Sequence, residues 1–109
     1  MKSLLTALFI TVSALGFAQS KNAKATLEVK GNCDRCKTRI EKASFSVKGV
    51  KTAQWDEATQ RLNVLFDETK TTVEKIEDAV VAAGHDTANK KTSEDTYNQL
   101  HHCCKYERE

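Results

Sequence analysis

The hydrophobic pattern of this chain switches repeatedly between two periods, and this switching limits the folds that the chain can adopt. Ala25, Leu27 and Val29 alternate with polar residues, which is typical of a half-buried strand. Further along, apolar residues recur at steps of three and four, as they do on one face of a helix. The periods predict, in order, a strand over 25–29, a helix over 36–47, strands over 50–55 and 61–66, a helix over 73–83 and a short strand over 85–89.

Two strand–helix–strand halves in this order predict an α+β fold, the ferredoxin-like βαββαβ sandwich. We expect a four-stranded antiparallel sheet with two helices on one face, followed by a short C-terminal extension. The inward-facing side chains form a small core, which suffices for a domain of this size. The predicted core residues are Leu27, Val29, Ile40, Val50, Leu62, Val64, Phe66, Val73, Ile76 and Val80.

The first 18 residues have the organisation of a secretory signal peptide. Lys2 supplies the positive start, residues 4–15 are the apolar run, and small residues precede the predicted cleavage point after Ala18. The run is shorter than the roughly 20 residues that cross a bilayer, so we expect no stable membrane anchor after cleavage; the alternative is an uncleaved anchor or a buried helix. The mature chain is expected in a periplasm or secreted, where unprotected cysteine pairs tend to form disulfides.

The charge balance argues against nucleic acid as a partner. The chain has 17 Lys and Arg residues against 15 Asp and Glu residues, a formal net charge of +2. Duplex binding needs a concentrated basic face instead. No combination of a base and a nucleophile is visible either, so we do not expect an enzyme.

Cys33 and Cys36 form a CxxC motif between the first predicted strand and the first predicted helix. We expect both thiols in the loop, outside the apolar stripe of the helix, with their sulfurs converging on one point. Cys36 lies near a helix N-terminus, which favours the thiolate, and Arg35, Lys37 and Arg39 add positive charge. Two converging thiolates suit a soft ion of low coordination number, Cu(I) first. Two ligands alone make a poor zinc site, since zinc prefers four.

The order of strand, CxxC loop, helix, hairpin and helix resembles the heavy-metal-associated domain family. This family includes copper chaperones, the N-terminal metal-binding domains of copper-pumping ATPases and the periplasmic mercury-binding protein. The resemblance covers about residues 24–88. We therefore predict a heavy-metal-associated domain over residues 24–89, between the signal peptide at 1–18 and a Cys- and His-containing tail at 90–109. Beside the CxxC, the residues at the family's spacing are Ile40, Gly49, Val50 and Gly84.

The resemblance implies an exported protein that carries or sequesters a soft metal through Cys33 and Cys36 and passes it on by thiol exchange. The implied partner is a metal-transporting ATPase or another metal-handling protein. The family's usual Met two residues before the first Cys, which packs beneath the loop, is Gly31 here. Two alternatives to Cu(I) stay open, namely Hg(II) and Zn(II).

A second class of function, a periplasmic thiol–disulfide protein, also uses a CxxC at a helix N-terminus. Such proteins have a longer fold and a cis-proline facing the motif, whereas this chain contains no proline. A purely structural Cys33–Cys36 disulfide is a further alternative, although so small a loop adds little stability.

His85 follows the second predicted helix, in a loop that the ferredoxin-like arrangement places beside the CxxC loop. We expect His85 to be a neighbour of the metal site that hydrogen-bonds, ligates the ion or tunes the charge of the two thiolates. The alternative is a solvent-exposed loop histidine.

The tail contains four consecutive candidate ligands, His101, His102, Cys103 and Cys104, and such a tract suggests metal binding. Adjacent cysteines do not readily pair with each other. We therefore expect Cys103 and Cys104 to fold back toward the CxxC, as disulfide partners or as additional metal ligands. The alternative is an exposed tail in which only Cys104 is buried.

Overall fold

The structure is a computed structural model that describes residues 20–108. The predicted signal peptide lies outside the described residues. No helix within 20–108 has the length and apolar character needed to cross a membrane. The elements are β1 (Ala23–Glu28), α1 (Asp34–Phe45), β2 (Val50–Asp56), β3 (Arg61–Phe66), α2 (Val73–Ala82), α3 (Glu94–Asn98) and a final 3₁₀ turn (His102–Cys104).

The three strands form one antiparallel sheet in the order β1-β3-β2. Leu27 pairs with Leu62, and Leu62 pairs with Trp55 on its other side. Because side chains alternate across a strand, these three residues share one face, and all three are buried. Ile40 of α1 and Ile76 of α2 are also fully buried in the same core, so both helices cover this face and the opposite face is left exposed.

The predicted fourth strand is not formed within the described residues. Its place is taken by a single antiparallel bridge between Val29 and Thr87, next to a 2.8 Å hydrogen bond from the Lys30 N–H to the Asp86 carbonyl. The chain then turns, because the Thr87 N–H donates to the Lys90 carbonyl at 2.8 Å. With its backbone engaged in this turn, the segment cannot extend the ladder, and the sheet has three strands.

The limits of α1 and the composition of the core also differ from the prediction. The backbone of Cys33 is extended and makes this residue the N-cap, so α1 begins at Asp34, two residues earlier than predicted, and ends at Phe45. Val50 and Val73 are only partly buried. Six residues outside the predicted list complete the buried apolar core: Cys36, Ala53, Trp55, Leu100, Cys104 and Tyr106.

Candidate metal centre

The two CxxC thiols occupy different environments at the start of α1. Cys33 is the half-buried N-cap residue, whereas Cys36 lies in the first turn and is fully buried in the core. The expectation that both thiols lie in the loop, outside the apolar stripe, is therefore wrong for Cys36. The two sulfur atoms are 3.7 Å apart, and Cys33 is the more accessible of the pair.

The loop before the CxxC rests on the indole ring of Trp55. A Cβ atom at Gly31 would lie 2.7 Å from Cζ2 of Trp55, closer than carbon atoms normally approach, so the ring fills the space that a side chain at position 31 would need. The indole N–H donates to the Val29 carbonyl at 3.0 Å, and the Gly31 N–H donates to Gln60 Oε1 at 2.9 Å. Glycine at position 31 thus permits close packing of the loop on the tryptophan.

The C-terminal tail places two more thiols beside Cys33. The Cys33 sulfur lies 3.2 Å from the Cys103 sulfur and 3.8 Å from the Cys104 sulfur. The three sulfur atoms all lie within 4.8 Å of one another. The Asn32 side-chain amide donates to the Cys103 carbonyl at 3.4 Å, which connects the CxxC loop to the tail. The four cysteines of the chain, all within the described residues, are free thiols.

The surroundings of Cys33 favour its thiolate. Burial alone would raise the pKa of Cys33, but hydrogen bonds from the backbone N–H groups of Cys36 and Arg35 and contacts with the tail thiols outweigh it. The pKa of Cys33 is lowered to about 7. Burial and the neighbouring thiols raise the pKa of Cys104, and the contact with Cys33 raises that of Cys103. Of the three clustered thiols, those of Cys33, Cys103 and Cys104, that of Cys33 therefore ionises first.

Tyr106 anchors the tail to the loop after α2. Its hydroxyl donates to the Gly84 carbonyl at 2.9 Å and accepts from the Asp86 N–H at 2.8 Å. Its ring stacks on His85 with a centroid distance of 5.6 Å and is 3 % exposed. The hydroxyl therefore satisfies two buried backbone groups, and the ring covers the histidine.

Two further contacts hold the tail on either side of Tyr106. Arg108 donates to both carboxylate oxygens of Asp86, at 2.9 and 3.1 Å, and to the Thr92 carbonyl at 2.8 Å. Leu100 packs against Gly84, whose φ of +110° and missing Cβ leave room for the leucine side chain. The tail is thus docked on the domain, which excludes the alternative of an exposed tail.

His85 is fully buried, so the alternative of a solvent-exposed loop histidine is wrong. Its Nδ1–H donates to the Lys30 carbonyl at 2.8 Å, and its Nε2 has no hydrogen-bond partner among the described residues. Burial lowers the pKa of His85, and the positive charge of Arg39 adds to this effect. In the structure His85 stacks on Tyr106 and bonds to the loop before the CxxC, and it is not a member of the group of clustered candidate ligands within residues 20–108.

His101 and His102 are both exposed. Their rings contact each other at a centroid distance of 4.4 Å, and His101 Nδ1 accepts a 3.5 Å hydrogen bond from the Cys103 N–H. Within residues 20–108, the group of clustered candidate ligands contains Cys33, Cys103 and Cys104. It contains neither of these histidines, and it does not contain Cys36, whose sulfur is close to that of Cys33 alone among the distances given above.

The positioning residues Trp55, Tyr106 and Arg108 were not identified as such in the sequence. One feature of the sequence could have pointed to Trp55. Gly31 stands where a larger side chain would pack beneath the loop, so another large side chain must fill that space. Tyr106 and Arg108 act through contacts with residues about 20 positions away, and no local pattern marks them.

Comparison with known proteins relates this site to metal-carrying proteins. Over 65 residues the chain is 35% identical to the copper chaperone CopZ of Staphylococcus saprophyticus subsp. saprophyticus. The matched region covers 59% of this chain and 96% of that relative. Over 93 residues it is 37% identical to the mercuric transport protein periplasmic component of Shewanella putrefaciens, covering 84% of this chain and all of that protein.

Solved structures of copper-handling proteins have a similar fold. A CopZ metallochaperone superposes with a TM-score of 0.59 at 28% identity, covering 61% of this chain and 100% of that one. The Cu(I)-loaded N-terminal domain of a potential copper-translocating P-type ATPase from Bacillus subtilis has a TM-score of 0.57 at 27% identity, over 61% of this chain and 84% of that one. The family model for the heavy-metal-associated domain matches residues 26–86. The chain therefore belongs to the heavy-metal-associated domain family.

Proposed function

We propose that this chain is an exported carrier of a soft metal ion, Cu(I) first, that binds its cargo through Cys33 and Cys36. The observation that carries the proposal is the pair of sulfur atoms 3.7 Å apart at the start of α1. Because the pKa of Cys33 is about 7, a large share of this thiol is ionised at neutral pH. Thiolates select soft ions, and the relatives are named for copper and mercury.

Transfer proceeds by ligand exchange at the more accessible sulfur. A thiolate of the partner forms a bond to the bound ion, and a thiolate of this chain leaves and takes up a proton. The oxidation state of the ion does not change. Since Cys36 is fully buried and Cys33 only half-buried, the partner approaches from the side of Cys33, and Cys33 leaves before Cys36.

The proposed acceptor is a metal-transporting ATPase or another metal-handling protein, and the role is carriage rather than catalysis. The fold shared with a P-type ATPase domain supports this proposal, because two similar sites can exchange an ion at little cost in affinity. The periplasm is the proposed compartment. It is supported by the signal-like residues 1–18 and by the mercuric relative, whose name describes a periplasmic component.

The deciding experiment is an anaerobic titration of the reduced protein with Cu(I) in competition with a Cu(I) chelator. We expect Cys33→Ser and Cys36→Ser each to lose tight Cu(I) binding, while Lys48→Ser, an exposed position on the same domain, binds as the unmodified chain does. Circular dichroism of each variant checks that the fold is kept. A Cys33→Ser/Cys36→Ser protein that competes with the chelator as well as the unmodified chain would place the site elsewhere.

Hg(II) is the second candidate cargo, because the mercuric transport relative matches the larger share of the chain. The same titration with Hg(II) and Zn(II) ranks the three ions. The remaining candidate, a thiol–disulfide protein, predicts that the reduced chain reduces insulin disulfides, whereas the carrier proposal predicts no reduction above the rate of free thiol.

A further inference from the structure

The tail thiols are held in position by contacts that do not involve the CxxC. Tyr106 satisfies two buried backbone groups, Arg108 binds Asp86 through two hydrogen bonds, and Leu100 is almost fully buried against Gly84. Cys103 and Cys104 lie on the short 3₁₀ turn between these anchors. Their positions next to Cys33 are therefore built into the docked tail.

The spacing of the sulfur atoms can be compared with what a metal ion requires. With metal–sulfur bonds of about 2.3 Å, two sulfurs lie roughly 4.6 Å apart in a linear site, about 4.0 Å apart in a trigonal site and about 3.8 Å apart in a tetrahedral site. The distances from Cys33 to Cys36 and to Cys104 are 3.7 and 3.8 Å. These values match a site with three or four sulfurs better than a linear one.

Cys36 lies outside the group of three sulfurs that are all within 4.8 Å of one another, so a site with all four thiolates needs the Cys36 sulfur and at least one tail sulfur to move closer together. Cys33 and Cys103 are 3.2 Å apart, so this pair must open by about 0.6 Å to reach a tetrahedral separation and by about 0.8 Å to reach a trigonal one. Cys103 is half-buried and lies on a short turn, where such a movement disturbs little of the core.

We propose that Cys103 and Cys104 are metal ligands that join Cys33 and Cys36 in a single site of three or four thiolates. The inference rests on the proposed soft-metal function and adds to it the coordination number. With the tail docked, the site accommodates ions that a CxxC alone holds poorly, such as Zn(II), and it holds Cu(I) with at least three sulfurs.

The test compares the reduced chain with Cys103→Ser/Cys104→Ser, using Cu(I) and Zn(II) separately as probes. X-ray absorption should find three or more sulfur neighbours around Cu(I) in the unmodified chain and two in the double variant, which still binds Cu(I). Zn(II) affinity should fall at least about hundredfold, since the double variant keeps two thiolates and zinc prefers four ligands. Lys105→Ser, an exposed position in the same tail, is the matched control and should leave both readouts unchanged.

Because Cys104 is buried in the core, the single variant Cys103→Ser is measured as well. Its position is half-buried, and we expect it to fold and to lose a sulfur neighbour and Zn(II) affinity. Two sulfur neighbours in the unmodified chain, with Zn(II) affinity unchanged in both variants, would overturn the inference and leave the proposed function intact. Failure of the unmodified chain to bind Cu(I) at all would instead refute the proposed function.

Discussion

Removal of a single hydroxyl group should show how firmly the tail is held. In Tyr106→Phe the ring keeps its stacking on His85, but the Gly84 carbonyl and the Asp86 N–H each lose their partner in a buried environment. An unsatisfied buried polar group costs about 1–3 kcal/mol. With two such groups we therefore expect the free energy of unfolding to fall by about 2–6 kcal/mol, a large share of the roughly 5–15 kcal/mol of a typical domain.

Urea denaturation followed by circular dichroism measures this loss, and alkylation of Cys104 in native conditions reports whether the tail has separated from the domain. Tyr97→Phe is the matched control, because its hydroxyl bonds to one carbonyl, that of Tyr106, at a half-buried position. Its cost should be about 1 kcal/mol. If the free energy of unfolding of Tyr106→Phe is within about 0.5 kcal/mol of that of the unmodified chain, and Cys104 is alkylated no faster than in the unmodified chain, the hydroxyl does not hold the tail.

Three further predictions concern single groups. The rate of alkylation of Cys33 should rise with pH to a midpoint near 7, against about 8.5 for an ordinary thiol; a midpoint above 8, determined by mass spectrometry of the labelled peptide, would contradict the lowered pKa. Burial lowers the pKa of His85, so the unfolded chain takes up a proton near pH 6.5 while the histidine of the folded chain stays neutral. The free energy of unfolding should therefore be constant above that pH and fall as the pH drops below it. Urea unfolding between pH 5 and 7.5 measures this dependence, which His85→Gln should weaken. Gly84→Ala should destabilise the fold by roughly 1–3 kcal/mol, because φ is +110° and the new Cβ would lie 2.8 Å from Leu100 Cδ2; an unchanged urea midpoint would show that the leucine moves freely.

The parts of the fold that depend on local pattern were predictable from the sequence. β2, β3 and α2 begin where the periodicity places them, and Thr72 caps α2 by accepting a hydrogen bond from the Lys75 N–H. The prediction of a fourth strand was wrong because the turn at Thr87 uses the backbone N–H and carbonyl groups that a further strand would need for pairing. A short segment with one apolar alternation gives no signal of such a turn.

The residue types of the candidate site and the return of the tail thiols toward the CxxC were predictable from the sequence, whereas the detailed geometry was not. The spacing of Cys33 and Cys36 identified one pair, and the tail tract identified the other. The distances to the tail thiols depend on the docking of Tyr106 and Arg108, which are distant in sequence from their partners. Such contacts are decided by tertiary packing, and hydrophobic periodicity does not report them.

The packing of Trp55 beneath the loop gives the chain an optical reporter of its own. Trp55 is the only tryptophan in the sequence, and a Cβ atom at Gly31 would lie close to both its ring and Cys36 Cβ, at 2.7 and 3.1 Å. An ion held by the CxxC would lie near this indole, and a heavy soft ion close to an indole quenches its emission. Intrinsic fluorescence should therefore follow loading and release of the cargo in real time, without a dye or an introduced label.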